Sequence, residues 1–438
     1  MVWILYNVLF SIGFAVMLPY FIFRMCRRGG YAKGFMQRLG VYGRTLRNRI
    51  AERPRVWIHA VSVGEVYVAL RLLAGLRARR PQIGFVLTTT TSTGHRIAAQ
   101  QIDKQDVLLY FPVDFPPIVR LVLNRIRPLA IVLTECEMWP NLIRLAARRN
   151  IPVALVNGRI SASSFRGYRK MRFFFKRALR AMRVLLVQEE IYAERLLRLG
   201  ADPAQIHVVG TAKYDVIRHD PEGREQAGRT LRAVGVRPDD LVLVGGSTWE
   251  GEEAVLLEIY RRIRPDMPTL RMVLVPRHFE RVGAVVRTVQ NTGLSFVKKS
   301  ALDAGQPPPD ACPDVFVIDT TGELMSFYAH ASVIFVGKSL AARGGQNIIE
   351  PASWGKPVLV GPHTENFEAV MRDFLDADAI CQVRDQAGLE AKIRFLFENP
   401  AEREAMGRRA ASVVDAKRGA IEASVERIAP LIPERRRS

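Results

Sequence analysis

The chain has 438 residues, 48% apolar and 8% aromatic, which excludes a disordered or fibrous polypeptide and leaves room for two globular domains. Its four cysteines, Cys26, Cys136, Cys312 and Cys381, show no CxxC or Cys–His spacing, which excludes a disulfide-stapled fold and a structural zinc site. The net charge of +21 sits in one half: residues 1–220 hold 35 Lys and Arg against 13 Asp and Glu, and residues 221–438 hold 29 against 30. The first half is therefore expected to face something anionic, whether lipid headgroups, a phosphorylated substrate or nucleic acid.

Residues 2–23 (VWILYNVLFSIGFAVMLPYFIF) form a stretch of 22 without a charge, enough to cross the hydrocarbon core once. Arg24, Arg27, Arg28, Lys33 and Arg38 follow, and a positive C-terminal flank predicts a cytoplasmic location for the remainder. A cleaved signal peptide is the competing reading, but there is no basic n-region and no small-x-small cleavage site. Residues 31–42 mix aromatics with Lys33 and Arg38 and are expected to lie at the membrane surface.

From Arg55 onwards, apolar strand-like runs alternate with helical stretches, which predicts a doubly wound parallel sheet in a first domain, residues 31–218. Ligands of such sheets bind beyond the carboxyl ends of the strands. Glu65 falls there after Val63 and Gly64, Glu135 and Glu137 after LAIVLT, and Asn157 with Arg159 after VALV. A carboxylate at a strand end beside a glycine turn suits a general base; in a first helical turn it is equally an ordinary dipole partner. Both readings stay open for Glu65. Residues 159–183 interleave Arg166, Arg169, Lys170, Arg172, Lys176, Arg177, Arg180 and Arg183 with aromatics. That pattern suits a phosphorylated lipid at a membrane, with nucleic acid or a solvated helix face as rivals, and the neighbouring anchor favours lipid.

The segment HDPEG, residues 219–223, reads as a linker into a second α/β domain, residues 224–420. Its most informative stretch runs from a strand at 333–337 through Gly344 and Gly345 to Asn347 as N-cap and a short helix at 348–354, ended by Gly355 and Pro357. Bare glycines before a helix let a phosphate approach backbone N–H groups, and Glu350 one turn later suits a ribose hydroxyl pair. The alternative is a tight turn with an exposed Glu. No GxGxxG or Walker loop occurs, and the single DxD spelling, Asp376-Ala377-Asp378, lies outside the glycine turns, so protein groups and not a metal are expected to neutralise a leaving phosphate. Two Rossmann-like domains facing one another across a cleft is the GT-B arrangement of glycosyltransferases, with the nucleotide on the C-terminal domain.

Seven motifs carry a sharper resemblance: HAVSVGE (59–65), TECEMWPN (134–141), NGRISASSFRGY (157–168), STWEGEE (247–253), LVPRH (274–278), DTTGELM (319–325) and RGGQNIIEPASWGKPVLVGPHTENF (343–367). In this order they resemble the 3-deoxy-D-manno-octulosonic acid (Kdo) transferases, which prime the inner core of lipopolysaccharide, and the similarity runs from the membrane segment to about residue 420. The resemblance implies transfer of Kdo from CMP-Kdo, a substrate and not a cofactor, to lipid IVA with inversion at the anomeric carbon. It also implies a bacterial inner-membrane enzyme with its catalytic domains on the cytoplasmic side.

Carried over by residue, Glu65 matches the family's general base, which takes the proton of a primary hydroxyl on the glucosamine disaccharide, and Glu135 matches a second carboxylate needed for activity. CMP contacts match Pro276, Arg277, Thr321, Gly322, Glu323, Asn347, Ile348, Ile349 and Glu350. Two positions depart from the commonest pattern: Lys338 in place of a second glycine after Gly337, and Gln346 in place of a histidine. The lysine would add charge near the CMP phosphate or the Kdo carboxylate. Two other readings are a GT-B transferase of another nucleotide sugar, disfavoured by the PRH and GGxN…E set, and a membrane adaptor binding anionic lipid through residues 159–183. An adaptor has no need of Glu65, Glu135 and Glu350 together.

Overall fold

The β-branched runs of the sequence become strands buried on both faces, as parallel pairing between helix layers requires. In the computed structural model, which describes residues 3, 6–8, 10–14, 16, 17, 19 and 34–433, they form two seven-stranded sheets. Each sheet belongs to its own unit: residues 1–216 with 417–438 in the first, residues 217–416 in the second. The expected pair of Rossmann-like domains is thus present.

In the first unit, β1 (Arg55–Ala60), β2 (Gly84–Thr89), β3 (Val107–Tyr110), β4 (Ile131–Thr134), β5 (Val153–Gly158), β6 (Val184–Val187) and β7 (Ile206–Val208) lie in the order β3-β2-β1-β4-β5-β6-β7. All pairs are parallel. The order reverses between β1 and β4, and that is where a doubly wound sheet opens a crevice at its carboxyl edge. The helix Val63–Arg79 leaves that edge after β1 and buries Val66, Ala69, Leu72 and Leu76 against the sheet. Residues after 420, which the sequence assigned to no domain, return to cover it. The helix Ala420–Ile428 comes so close that a Cβ on Gly75 would sit 2.7 Å from a Val425 methyl, and Arg79 pairs with Glu422 at the rim.

Residues 34–42, expected at the membrane surface, instead close the β3 edge. Gln37 accepts the Tyr110 N–H at 3.1 Å, and Tyr42 is buried in the core. The described residues before them are helical and dock one face on the first unit. Trp3 and Tyr6 pack on Phe174, Phe10 and Phe14 pack edge-on against Phe115, and the Tyr6 hydroxyl donates to Asp114 at 3.1 Å. Val8, Ile12 and Val16 form an exposed stripe at helical spacing on the other side. Among the described residues no helix is long and apolar enough to cross a membrane. Residues 2, 4, 5, 9, 15, 18 and 20–23 of the expected 2–23 anchor lie outside the described residues.

In the second unit, β8 (Leu241–Thr248), β9 (Leu270–Pro276), β10 (Phe296–Lys298), β11 (Val315–Val317), β12 (Val333–Val336), β13 (Val358–Val360) and β14 (Cys381–Gln382) lie in the order β10-β11-β9-β8-β12-β13-β14, again all parallel. Here the reversal falls between β8 and β12. The helix expected at 348–354 is shorter, Ile349–Ala352, because Gly355 turns left-handed (φ 65°) and the chain must enter β13.

Candidate active site

At the switch point of the first sheet, Ser62 caps the helix that follows β1 and Glu65 closes a capping box with it. The Glu65 carboxylate is 5% exposed and receives three donors: Val61 N–H at 3.0 Å, Ser62 N–H at 3.1 Å and the Thr134 hydroxyl at 2.7 Å. Thr134 is the last residue of β4, so the two strands that flank the reversal hold this one side chain between them. A carboxylate offers about four acceptor positions, and the fourth stays open.

Glu135 follows at once, in the left-handed region at φ 54°, with its N–H bound to the Val156 carbonyl at 2.9 Å. Asn157 at the end of β5 has φ 55°, and its side-chain oxygen accepts the Ala212 N–H at 3.0 Å. Non-glycine residues in this region cost about 1 kcal/mol or more each, and such strain gathers at functional sites. Burial, with the Glu65 charge, pushes the Glu135 carboxyl up, while Lys213 and Arg159 pull it back. Burial first, then Arg159, pushes the Lys213 ammonium down, against the opposing pull of Glu135 and Glu189.

Glu137 completes the group. Burial and the Glu65 charge push its carboxyl up to about 7, and it accepts the Trp139 indole N–H at 2.9 Å. Its Oε2 is 3.8 Å from Nε2 of His59, which is fully buried and stacked on Phe111 with ring centroids 3.7 Å apart. Burial holds the His59 imidazole down to about 3, hence neutral. From the sequence, Glu137 is placed with Glu135 beyond a strand end, His59 is quoted only inside a motif, and Lys213 is not singled out.

At the switch point of the second sheet the carboxylate is Glu252, and it is turned inward. It is fully buried and accepts the N–H groups of Trp249, Lys338, Ser339 and Leu340 at 2.8–2.9 Å. Gly337 makes this possible, since a Cβ there would lie 2.6 Å from a Glu252 oxygen. Ser247 and Lys338, at the ends of the two strands, are both left-handed at φ 53° and 57°, and the Lys338 ammonium lies 4.6 Å over the Trp249 ring. Further along the loop, Gly344 N–H bonds to Glu365 and Gly345 N–H to the Lys338 carbonyl, each at 2.8 Å. Most of the N–H groups expected to receive a phosphate are therefore bound within the protein.

Asn347 caps the following turn, accepting the Ile349 N–H at 3.1 Å and donating to Glu350 at 3.0 Å. Ile348 and Ile349 point into the core, which leaves only their backbone for a ligand. Burial pushes the Glu350 carboxyl up against the pull of Asn347 and Arg277. Arg277 follows Pro276 at the end of β9, its N–H bound to the Thr248 carbonyl at 3.1 Å. Thr321, Gly322 and Glu323 follow β11, the neighbour of β9, and Glu323 is paired with Lys299 at 3.1 Å. The expected residues thus fall at two sheet edges: Glu65 and Glu135 at the first, Pro276, Arg277, Thr321 to Glu323 and Asn347 to Glu350 at the second. Among the described residues no group of three or more His, Cys, Asp or Glu is placed to hold a metal ion.

Residues 33–216 match the family model described as 3-Deoxy-D-manno-octulosonic-acid transferase (kdotransferase). The chain is 30% identical over 405 residues to the 3-deoxy-D-manno-octulosonic acid transferase of Haemophilus influenzae, covering 92% of each chain. It is 36% identical over 374 residues to that of Bordetella pertussis, covering 83% of this chain and 84% of the relative. The crystal structure of UDP-GlcNAc 2-epimerase from Neisseria meningitidis shares the fold, with 16% identity and a TM-score of 0.57 over 86% of this chain and 100% of the other. With those relatives spanning nearly its whole length, and the family's motifs lying at the strand ends just described, the chain belongs to the Kdo transferases, glycosyltransferases of lipopolysaccharide biosynthesis.

Proposed function

We propose that this enzyme transfers Kdo from CMP-Kdo to lipid IVA with inversion at the anomeric carbon, without a metal and with Glu65 as the general base. The observation that carries the reading is the single open acceptor position on a Glu65 carboxylate otherwise fixed by three donors from two strand ends. A primary hydroxyl bound there gives its proton to Glu65 as its oxygen forms the new bond to the anomeric carbon. The bond from that carbon to the CMP phosphate oxygen breaks as the other forms, and CMP leaves with the electron pair. Displacement from the opposite face inverts the centre. Glu135, held in a strained conformation beside Glu65, orients the acceptor. In the second unit, Arg277 neutralises the leaving phosphate and Glu350 accepts hydrogen bonds from the ribose hydroxyl pair, so no metal or cofactor is called for.

The lipid acceptor explains the charge of the first unit. Arg166, Arg169 and Arg172, with the exposed Phe173 (53%), suit an anionic bilayer surface, and the exposed stripe Val8, Ile12 and Val16 offers a further apolar contact. The site of action is then the inner membrane, with both units on its cytoplasmic side and residues 2–23 as the anchor. Incubation of the purified protein with lipid IVA and a panel of CMP- and UDP-sugars tests this. Product is expected from CMP-Kdo alone, whereas transfer from a UDP-sugar, or lipid binding without transfer, overturns it.

A further inference from the structure

Three carboxylates, Glu65, Glu135 and Glu137, stand within electrostatic range of one another, and the base assignment needs them to differ. Their surroundings do differ. Glu65 meets only donors. Glu135 has the cations Lys213 and Arg159 to offset its charge. Glu137 has one neutral donor, the Trp139 indole, and on its other side a lone pair.

That lone pair belongs to His59. The Nδ1 of the ring lies 3.1 Å from the Thr88 carbonyl and 3.0 Å from the Thr88 hydroxyl; that hydroxyl accepts the Trp57 indole N–H and donates its own proton to the Ile58 carbonyl, so Nδ1 is the donor to the Thr88 carbonyl and carries the proton, and Nε2 does not. Nε2 is fully buried, has no hydrogen-bond partner, and lies 3.8 Å from Glu137 Oε2. Phe111 and Trp139 wall the ring on its other sides, so the orphaned nitrogen has Glu137 as its near polar neighbour. An ionised Glu137 would set one acceptor against another in a dry pocket; a protonated one supplies the missing donor.

We infer that Glu137 works as a neutral carboxylic acid directed at His59 Nε2, a positioning residue that keeps a second negative charge away from Glu65. The inference rests on the reading of Glu65 as the base. The titratable and charged groups that face this pair are Glu65 from the helix after β1, Glu135 and Cys136 from its own loop, Tyr168 from the helix Ala162–Lys170, and Arg38 towards His59. Both the burial of Glu137 and the Glu65 charge favour its protonated form. Above its transition Glu137 ionises, and an anionic donor then meets a site one charge more negative, so kcat/KM falls by about tenfold for each further pH unit.

Glu137→Gln keeps the shape and a donor but cannot ionise. Infrared difference spectra of the full-length parent against Glu137→Gln at pH 6 are expected to show a protonated-carboxyl band beyond that of Asp114, which burial pushes up to about 7 in both proteins, and in Glu65→Gln and Glu135→Gln the midpoint of the Glu137 band is expected to move to lower pH. In kinetics the alkaline fall of kcat/KM is expected in the parent and absent in Glu137→Gln, so their ratio changes with pH. The absence of any protonated-carboxyl difference between the parent and Glu137→Gln overturns the inference. Superimposable pH profiles overturn it as well, a result that a merely structural Glu137 would give. Turnover of Glu65→Gln tests the base assignment separately, since the Glu137 band of the parent does not depend on which residue is the base.

Discussion

Both units reverse strand order at a central pair, β1 with β4 and β8 with β12, and both place a carboxylate from the following helix at that point. Glu252 takes four backbone N–H groups at 2.8–2.9 Å and a fifth, that of Ala341, at 3.4 Å, from its own strand turn and the loop after the partner strand, and it is fully buried. Glu65 takes three donors, keeps one acceptor position open and retains 5% exposure. A fuller set of donors separates a carboxylate that holds a loop in place from one with acceptor capacity to spare. Other charges follow the same division. The first unit surrounds its switch point with Glu135, Glu137, Lys213 and Arg159, a set suited to proton transfer, while the second offers Arg277 and Lys338, a set suited to anions.

The comparison breaks first at Glu65. Glu65→Gln is expected to lower kcat by roughly 10²-fold or more, the usual size of general-base catalysis, with CMP affinity retained. Turnover near that of the parent would make Glu65 another Glu252. The converse substitution sharpens the contrast from the other side. Glu252→Gln leaves buried N–H groups without an acceptor and sets an amide donor against them, so thermal unfolding should show a loss of about 2–3 kcal/mol. An unchanged Tm would mean that the loop after β12 does not depend on this carboxylate. At the second edge, Glu350→Gln should raise the donor KM roughly tenfold with little effect on the fold, since a charge-assisted bond to ribose is lost. Donor kinetics that do not move would remove Glu350 from the nucleotide site. The smallest effect belongs to the basic face: Arg166→Ser, Arg169→Ser or Arg172→Ser should each weaken binding to anionic vesicles by about fivefold at low salt and less at high salt, with CMP affinity untouched. A parallel loss of CMP binding in these variants would indicate damage to the fold.

Much of this was legible in the sequence. Most strands are short runs rich in β-branched and other apolar residues between glycine and polar turns, as burial between helix layers favours, so their positions could be read from the sequence. Glu65, Glu135 and Arg277 stand out in the sequence because each follows such a run, at a carboxyl edge of a sheet, and Glu350 because a pair of glycines precedes its short helix. The spelling Ser62-Val63-Gly64-Glu65 also contained the capping box, a local signal that the reading of Glu65 as base or dipole partner did not use.

Residues 338–350 mark the limit of local reading. Their glycines announce a turn that admits close approach, but the acceptor for the N–H groups of Lys338, Ser339 and Leu340 is Glu252, 86–88 positions away, and the acceptor for Gly344 N–H is Glu365. His59 and Glu137 likewise meet only because β1 and β4 are neighbours, and the chain makes them so by crossing over two strands that lie on the far side of β1. Strand positions and turn residues follow from side-chain period and backbone sterics, which act within a few residues and are therefore written in the sequence. Strand order, the left-handed conformations of Glu135, Asn157, Ser247 and Lys338, and the partner of each buried polar atom were decided by the tertiary structure, because a buried donor or acceptor must be satisfied by whatever the fold brings beside it.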